Sequence, residues 1–281
     1  MRKLFSRQLI EARHEMLSIY EEVDLALHDA VNAFVEDDKK LANKTKKRTL
    51  TIDARCANLE AVCYNLIATQ SPVASDFRLL QTIIYIDFNL QRMNDKVRAV
   101  TRAAKRKIKG EFEVPQELID LIKKQAEATY RVLGSSITAL VNNDLSVVCT
   151  LAEEDAPVHD IYQEFFRTYN RLGIDVTDDN SLDDVRRVVM VSRYLDRLAS
   201  ISVDAACRLA FLLTGQRWTA NDIADADEEE LESMRIPAGE GSIMDAQTDA
   251  EYVSNLPLDE VGEELKKLIE NVQNDTVDED E

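Results

Sequence analysis

Two apolar stripes of helical period constrain this chain more than any other feature. Leu9, Ala12, Met16, Ile19, Val23, Ala26, Ala30 and Ala33 recur in alternating steps of three and four, and so do Leu79, Ile83, Ile86, Leu90, Met93, Val97 and Val100. Neither run misses a step, so each predicts a helix of at least about six turns with one buried face. A further stripe, Ile52, Cys56, Leu59, Cys63 and Leu66, fills the interval between them and runs on to Gln70. There Ser71-Pro72 reads as the N-cap and first residue of the third helix. Only 7 Gly and 5 Pro occur in 281 residues. Against usual shares of about 7% and 5%, that is too few turn formers for a sandwich or barrel, and the fold class is all-α.

The pattern restarts after Pro115. Leu118 to Val141 carry an apolar face, Asn142-Asn143-Asp144 connect, and Val147 to Leu172 form a fifth helix that ends at Gly173. After a polar turn, Asp178 to Ser181, the stripe Val188, Val191, Leu195, Leu198, Ala205 and Leu209 repeats that of the third helix at an offset of 105. Leu90-Gln91-Arg92-Met93 aligns with Leu195-Asp196-Arg197-Leu198, and at an offset of 107 Asp37 meets Asp144 and Ile52-Asp53 meets His159-Asp160. The chain therefore predicts two tandem, pseudo-repeated three-helix bundles over residues 1–110 and 115–217.

Residues 218–281 differ in character. Residues 219–281 hold 21 acids and 3 bases, so −18 of the net −19 lies there and the body is nearly neutral. The expectation is an acidic tail, mostly disordered, with a short helix over 258–272 and an affinity for the basic clusters of the body.

Chemistry is sparse. No apolar run approaches the ~18 residues of a membrane span, and the basic start runs into charged residues without a signal-peptide core, so a soluble, cytoplasmic chain is expected. Four cysteines, 56, 63, 149 and 207, lack any C-x-x-C pair; Cys56 and Cys63 read as buried apolar side chains. There is no phosphate-cradling glycine loop. His14, His28 and His159 accompany no nucleophile motif and no H-E-x-x-H spacing, and read as surface or interhelical histidines, so no catalytic residues are assigned. One arrangement could bind a cation: Asp87, Gln91 and Asp95 run beside the third helix's stripe, and Ser192, Asp196 and Ser200 beside the sixth's. Each set is short of carboxylates. Basic residues cluster at Lys39, Lys40, Lys44, Lys46, Lys47 and Arg48, and at Lys96, Arg98, Arg102, Lys105, Arg106, Lys107 and Lys109. Without interleaved aromatics they read as solvated or partner-docking faces and not as a nucleic-acid interface.

Arg2-Lys3-Leu4-Phe5, Gln70-Ser71-Pro72-Val73-Ala74-Ser75-Asp76-Phe77-Arg78, Leu90-Gln91-Arg92-Met93-Asn94-Asp95 and Leu212-Leu213-Thr214-Gly215 resemble the PhoU family of phosphate-signalling accessory proteins. The resemblance spans residues 1 to about 217. It implies a dimeric, non-enzymatic negative regulator of phosphate uptake and the phosphate regulon. Such a regulator links the ATPase subunit of the phosphate ABC transporter to a sensor histidine kinase, and reaches the membrane only through these partners. It also implies iron or zinc held by one Glu/Asp-x-x-x-Asp motif per repeat. Here the motif is degenerate: Asp95 remains beside Gln91, and Asp196 remains beside Ser200. Asp95 and Asp196 are thus the metal candidates, and no tightly bound cofactor is expected. The competing readings are a metal-storing or redox bundle, which would need Glu or His at 91 and a carboxylate at 200, and a purely structural helical dimer.

Overall fold

The computed structural model describes residues 2–72, 74–110, 113–173, 179–226 and 228–236. Six long helices carry the fold: α1 (Arg2–Val35), α2 (Lys39–Gln70), α3 (Ala74–Lys107), α4 (Gln116–Asn142), α5 (Leu145–Leu172) and α6 (Asp179–Thr214). No strand occurs among the described residues. α1, α2 and α3 pack on one another, as do α4, α5 and α6, and the two triplets meet through α3 on α6 and α1 on α4. The two bundles share one compact unit, Met1–Pro237.

Both predicted stripes are buried along their whole length, from Leu9 to Ala33 on α1 and from Leu79 to Val100 on α3. Each fully buried Leu or Ile contributes roughly 1.5–3 kcal/mol, which outweighs the modest helix propensity of the β-branched residues among them. Two buried polar clusters join the triplets. The Tyr20 hydroxyl, on α1, bridges the Ser136 hydroxyl of α4 at 3.0 Å and the Ser202 hydroxyl of α6 at 2.9 Å. Arg13, also on α1, donates from Nη2 to the Leu140 carbonyl at 3.1 Å and to Asn143 Oδ1 at 3.2 Å. It thereby satisfies a carbonyl that α4 leaves open at its C-terminus.

The turns show the duplication and correct two expectations. Asp37 and Asn143 are both left-handed, with φ of 55° and 54°. The residue after each, Asp38 or Asp144, accepts hydrogen bonds from the next helix's first amides. The repeat offset at this turn is therefore 106, and Asp38, not Asp37, is the counterpart of Asp144. Ser71 is a left-handed C-cap of α2 and not the N-cap of α3, which begins at Ala74.

The body also reaches further than 217. α7 (Ala220–Asp225) opens with a Thr219/Asp222 capping box, and α8 (Glu228–Ser233) follows. Both pack on α5, with Ile223 and Leu231 buried. The Ile236 amide then donates to the Leu213 carbonyl at 2.9 Å. Gly215 permits this return: its φ is +73°, and a Cβ there would meet Ile236 Cδ1 at 3.0 Å. The part of the acidic segment up to residue 236 is thus ordered against the bundle, while the helix expected over 258–272 and the rest of the tail lie outside the described residues.

Candidate functional site

On α3 the predicted polar edge divides between core and rim. Asp87 is 1% exposed and lies beside Cys56 and Cys63 of α2. Gln91 turns its amide nitrogen to it, Nε2 donating to Asp87 Oδ2 at 2.8 Å, while Asp87 Oδ1 has no hydrogen-bond partner. Burial pushes the Asp87 carboxyl up to about 6, with the Gln91 hydrogen bond opposing it. The same burial, with the Asp87 charge, pushes the Cys63 thiol up to about 12 and Cys56 higher, so both are inert apolar side chains. Asp95, two turns from Asp87, stands at the surface with its side chain 65% exposed, 3.9 Å from Arg98. Asp87 and Asp95 therefore do not converge. Instead Asp53 of α2 is held between Asn94 Nδ2, at 2.6 Å, and the guanidinium of Arg98, with which it forms an ion pair.

On α6, Ser192 is consumed by structure. Its hydroxyl donates to Gln125 Oε1 at 2.6 Å, and Gln125 Nε2 returns a bond to the Ser192 carbonyl at 3.1 Å. Asp196 faces His159 of α5, with Oδ1 and Nδ1 3.1 Å apart. Gln163 Nε2 lies 3.0 Å from His159 Nε2, an arrangement that matches an imidazole carrying its proton on Nδ1, toward Asp196. Asp155, one turn before His159, is pushed up to about 6, first by burial and then by the Asp196 charge, with His159 and the Ser200 hydroxyl working the other way. Asp155, His159, Asp196 and Ser200 thus form an acidic cluster that bridges α5 and α6.

This cluster is poorly suited to bond chemistry. The Ser200 hydroxyl donates to the carbonyl of Asp196 at 3.2 Å along its own helix and also lies against Asp155, and His159 is turned to Asp196, so Ser200 and His159 do not form a nucleophile–base pair. Neither edge presents the full carboxylate pair of the Glu/Asp-x-x-x-Asp metal motif. At the first, Arg98 already supplies the cation that Asp53 and Asp95 would offer a metal, and Gln91 presents a nitrogen. At neither Asp95 nor Asp196, nor anywhere else among the described residues, do three His, Cys, Asp or Glu side chains converge on a point that could hold an ion. Sequence reasoning did not single out Asp53, Asn94 or Asp155, and it named His159 as a surface or interhelical histidine and Arg98 as part of a basic cluster without their acidic partners. The four-residue spacing of Asp155 and His159 is the signal that could have found the second group.

Comparison with known proteins agrees with this architecture. A family model described as the PhoU domain matches residues 16–104. The chain is 25% identical over 216 residues to a phosphate-specific transport system accessory protein PhoU homolog of Methanothermobacter thermautotrophicus, covering 77% of this chain and 97% of that one. It is also 25% identical over 222 residues to a homolog of the same description from Clostridium acetobutylicum, covering 79% and 99%. Among solved structures, the phosphate transport system regulatory protein PhoU from Streptococcus pneumoniae has a TM-score of 0.66 at 20% identity over 76% of this chain and 99% of its own. PhoU from Pseudomonas aeruginosa gives 0.66 at 23% over 75% and 100%. No described helix is long and apolar enough to cross a membrane. With a duplicated triplet of helices, a PhoU-domain match over residues 16–104 in the first of them and relatives aligned over nearly their full length, this chain is similar to PhoU proteins in sequence and in fold.

Proposed function

We propose that this chain is an accessory protein of phosphate transport. It acts as a negative regulator of phosphate uptake and of the phosphate regulon, and works in the cytoplasm as a dimer. Its role is that of an adaptor between the ATPase subunit of the phosphate ABC transporter and a phosphate-sensing histidine kinase. The observation that carries this reading is the likeness to phosphate-specific transport accessory proteins over 97% and 99% of their lengths. The commitment of Ser192 to Gln125 and of His159 to Asp196 supports the non-enzymatic part of it, and the way Arg98 occupies the first acidic edge supports action without a resident metal. An adaptor of this kind needs a rigid apolar core and faces of distinct charge. It shifts its partners between states only by as much as it binds those states unequally. No observation favours the metal-storing alternative.

Deletion of the gene in a strain carrying a phosphate-controlled reporter tests the reading. The reporter should become insensitive to external phosphate, and complementation should restore control. A reporter that responds to phosphate as before would overturn it.

A further inference from the structure

Among the basic residues of α2, α3 and the turn that follows α3, two sets stand apart. Those of the first are engaged within the fold: Arg48 with Glu22 and Asp29, Lys44 with Asp29, and Lys107 with Asp37 and the Phe34 ring. Those of the second, Lys46, Arg98, Arg102, Lys105, Arg106 and Lys109, line a groove of about 420 Å³ between the two helices. Among the described residues only Arg98 of this second set has an acidic partner, Asp53 with Asp95 at the rim; the other five make no ion pair. Arg98 Nε is itself buried and without a hydrogen-bond partner. The macrodipole accounts for cations in the last turn of α3, but Arg98 and Arg102 lie before it. Like charges this close repel one another, and an anion held by their heads above a wall made largely of their apolar stems and Leu50 would relieve that repulsion.

The groove's geometry narrows the class of anion. Arg98, Arg102 and Arg106 succeed one another at four-residue steps, about 6 Å apart along the axis and about 12 Å from first to last, and Lys109 stands in the turn just beyond α3. One orthophosphate would meet two of these groups at most. The hydroxyls of Thr49 and Thr101, which also line the groove, are committed to the backbone carbonyls of Lys46 and Val97, so recognition falls to the cations. Arginine forks match phosphoryl oxygens in pairs. No aromatic ring lines the groove on which a nucleobase could stack, and its concavity suits a small ligand better than a bilayer surface. We infer that the α2/α3 groove binds an anion with several phosphoryl groups linked in a row. This goes beyond the adaptor reading and does not depend on it.

Calorimetric titration of the full-length chain at low salt tests this with tripolyphosphate, ATP, orthophosphate, a short single-stranded DNA and vesicles of anionic phospholipid. Tripolyphosphate should bind at least ~10-fold tighter than orthophosphate and weaken as salt rises. The double variant Arg102→Gln/Arg106→Gln should lose at least ~10-fold. Arg131→Gln/Arg167→Gln, the same charge change on exposed positions of α4 and α5, should leave binding intact. Tripolyphosphate binding tighter than ATP identifies the free condensed phosphate as ligand, and the reverse identifies a nucleotide; either supports the groove. Equal losses in the two double variants, orthophosphate binding as tightly as tripolyphosphate, or tightest binding to the DNA or the vesicles would overturn the inference.

Discussion

Asp87 offers a test of the interior electrostatics. Its carboxyl is enclosed by α2 and α3 with one oxygen unpartnered, and burial raises it from 3.8 to about 6. A folded-state value above the unfolded one means that the native protein holds this proton more tightly. The associated stability is fully present below about pH 4 and is lost as pH rises through about 6. The shift corresponds to about 3 kcal/mol. In Asp87→Asn the Gln91 amide keeps an oxygen to donate to, but the side chain no longer ionises. The new amide nitrogen has no acceptor where Oδ1 had no donor, at a cost of about 1–3 kcal/mol that does not change with pH. The diagnostic quantity is therefore the pH dependence of the difference and not its sign at one pH. Urea unfolding followed by circular dichroism, at steps between about pH 4 and 7.5, should show the variant gaining about 3 kcal/mol on the wild type across the range. Asp155, also raised to about 6, is common to both proteins and cancels. Stability curves that run parallel would show that Asp87 does not titrate in an apolar setting, and the reasoning would fail.

Other expectations follow from the same geometry. Tyr20→Phe removes the hydroxyl that Ser136 and Ser202 share across three helices, and should lower urea-unfolding stability by about 1–3 kcal/mol. Leu231→Ala should cost about 2–5 kcal/mol if α8 is part of the cooperative body, and almost nothing if it is an ornament on α5. Native Cys56 and Cys63 should react with an aromatic disulfide reagent far more slowly than in urea, since burial raises both thiols; rapid native labelling would contradict their placement. Elemental analysis of untagged, unstripped protein should find no stoichiometric iron or zinc, and stoichiometric metal would contradict the account of Arg98 and Gln91.

The helices were legible because burial of one face imposes a period that α1 and α3 keep without error, and the duplication because Leu90 and Leu195 occupy the same place in two such stripes. Caps were less so. Ser71-Pro72 has the composition of a helix start, yet Ser71 closes α2 in a left-handed conformation, because both roles draw on the same polar residues. The order of residues 220–236 was hidden by their acidity. What holds them is Ile223 and Leu231 set against α5, an effect of tertiary packing that outweighs local composition. The polar edges were half visible. Spacing along one helix put Asp87, Gln91 and Asp95 on a face, but which of them is core, and that Asp53 and Arg98 pair across to α2, depends on how two helices are rotated against each other. The same holds for His159 and Asp196.

The proposed function has this chain, similar to PhoU proteins, act by touching the transport and signalling proteins. The most direct measurement is sedimentation of the purified chain with the ATPase subunit of the phosphate ABC transporter and the cytoplasmic part of the phosphate-sensing kinase, alone and together. A complex with each partner, and one containing all three proteins, is the predicted result. Three species that sediment independently at concentrations well above those in the cell would contradict it.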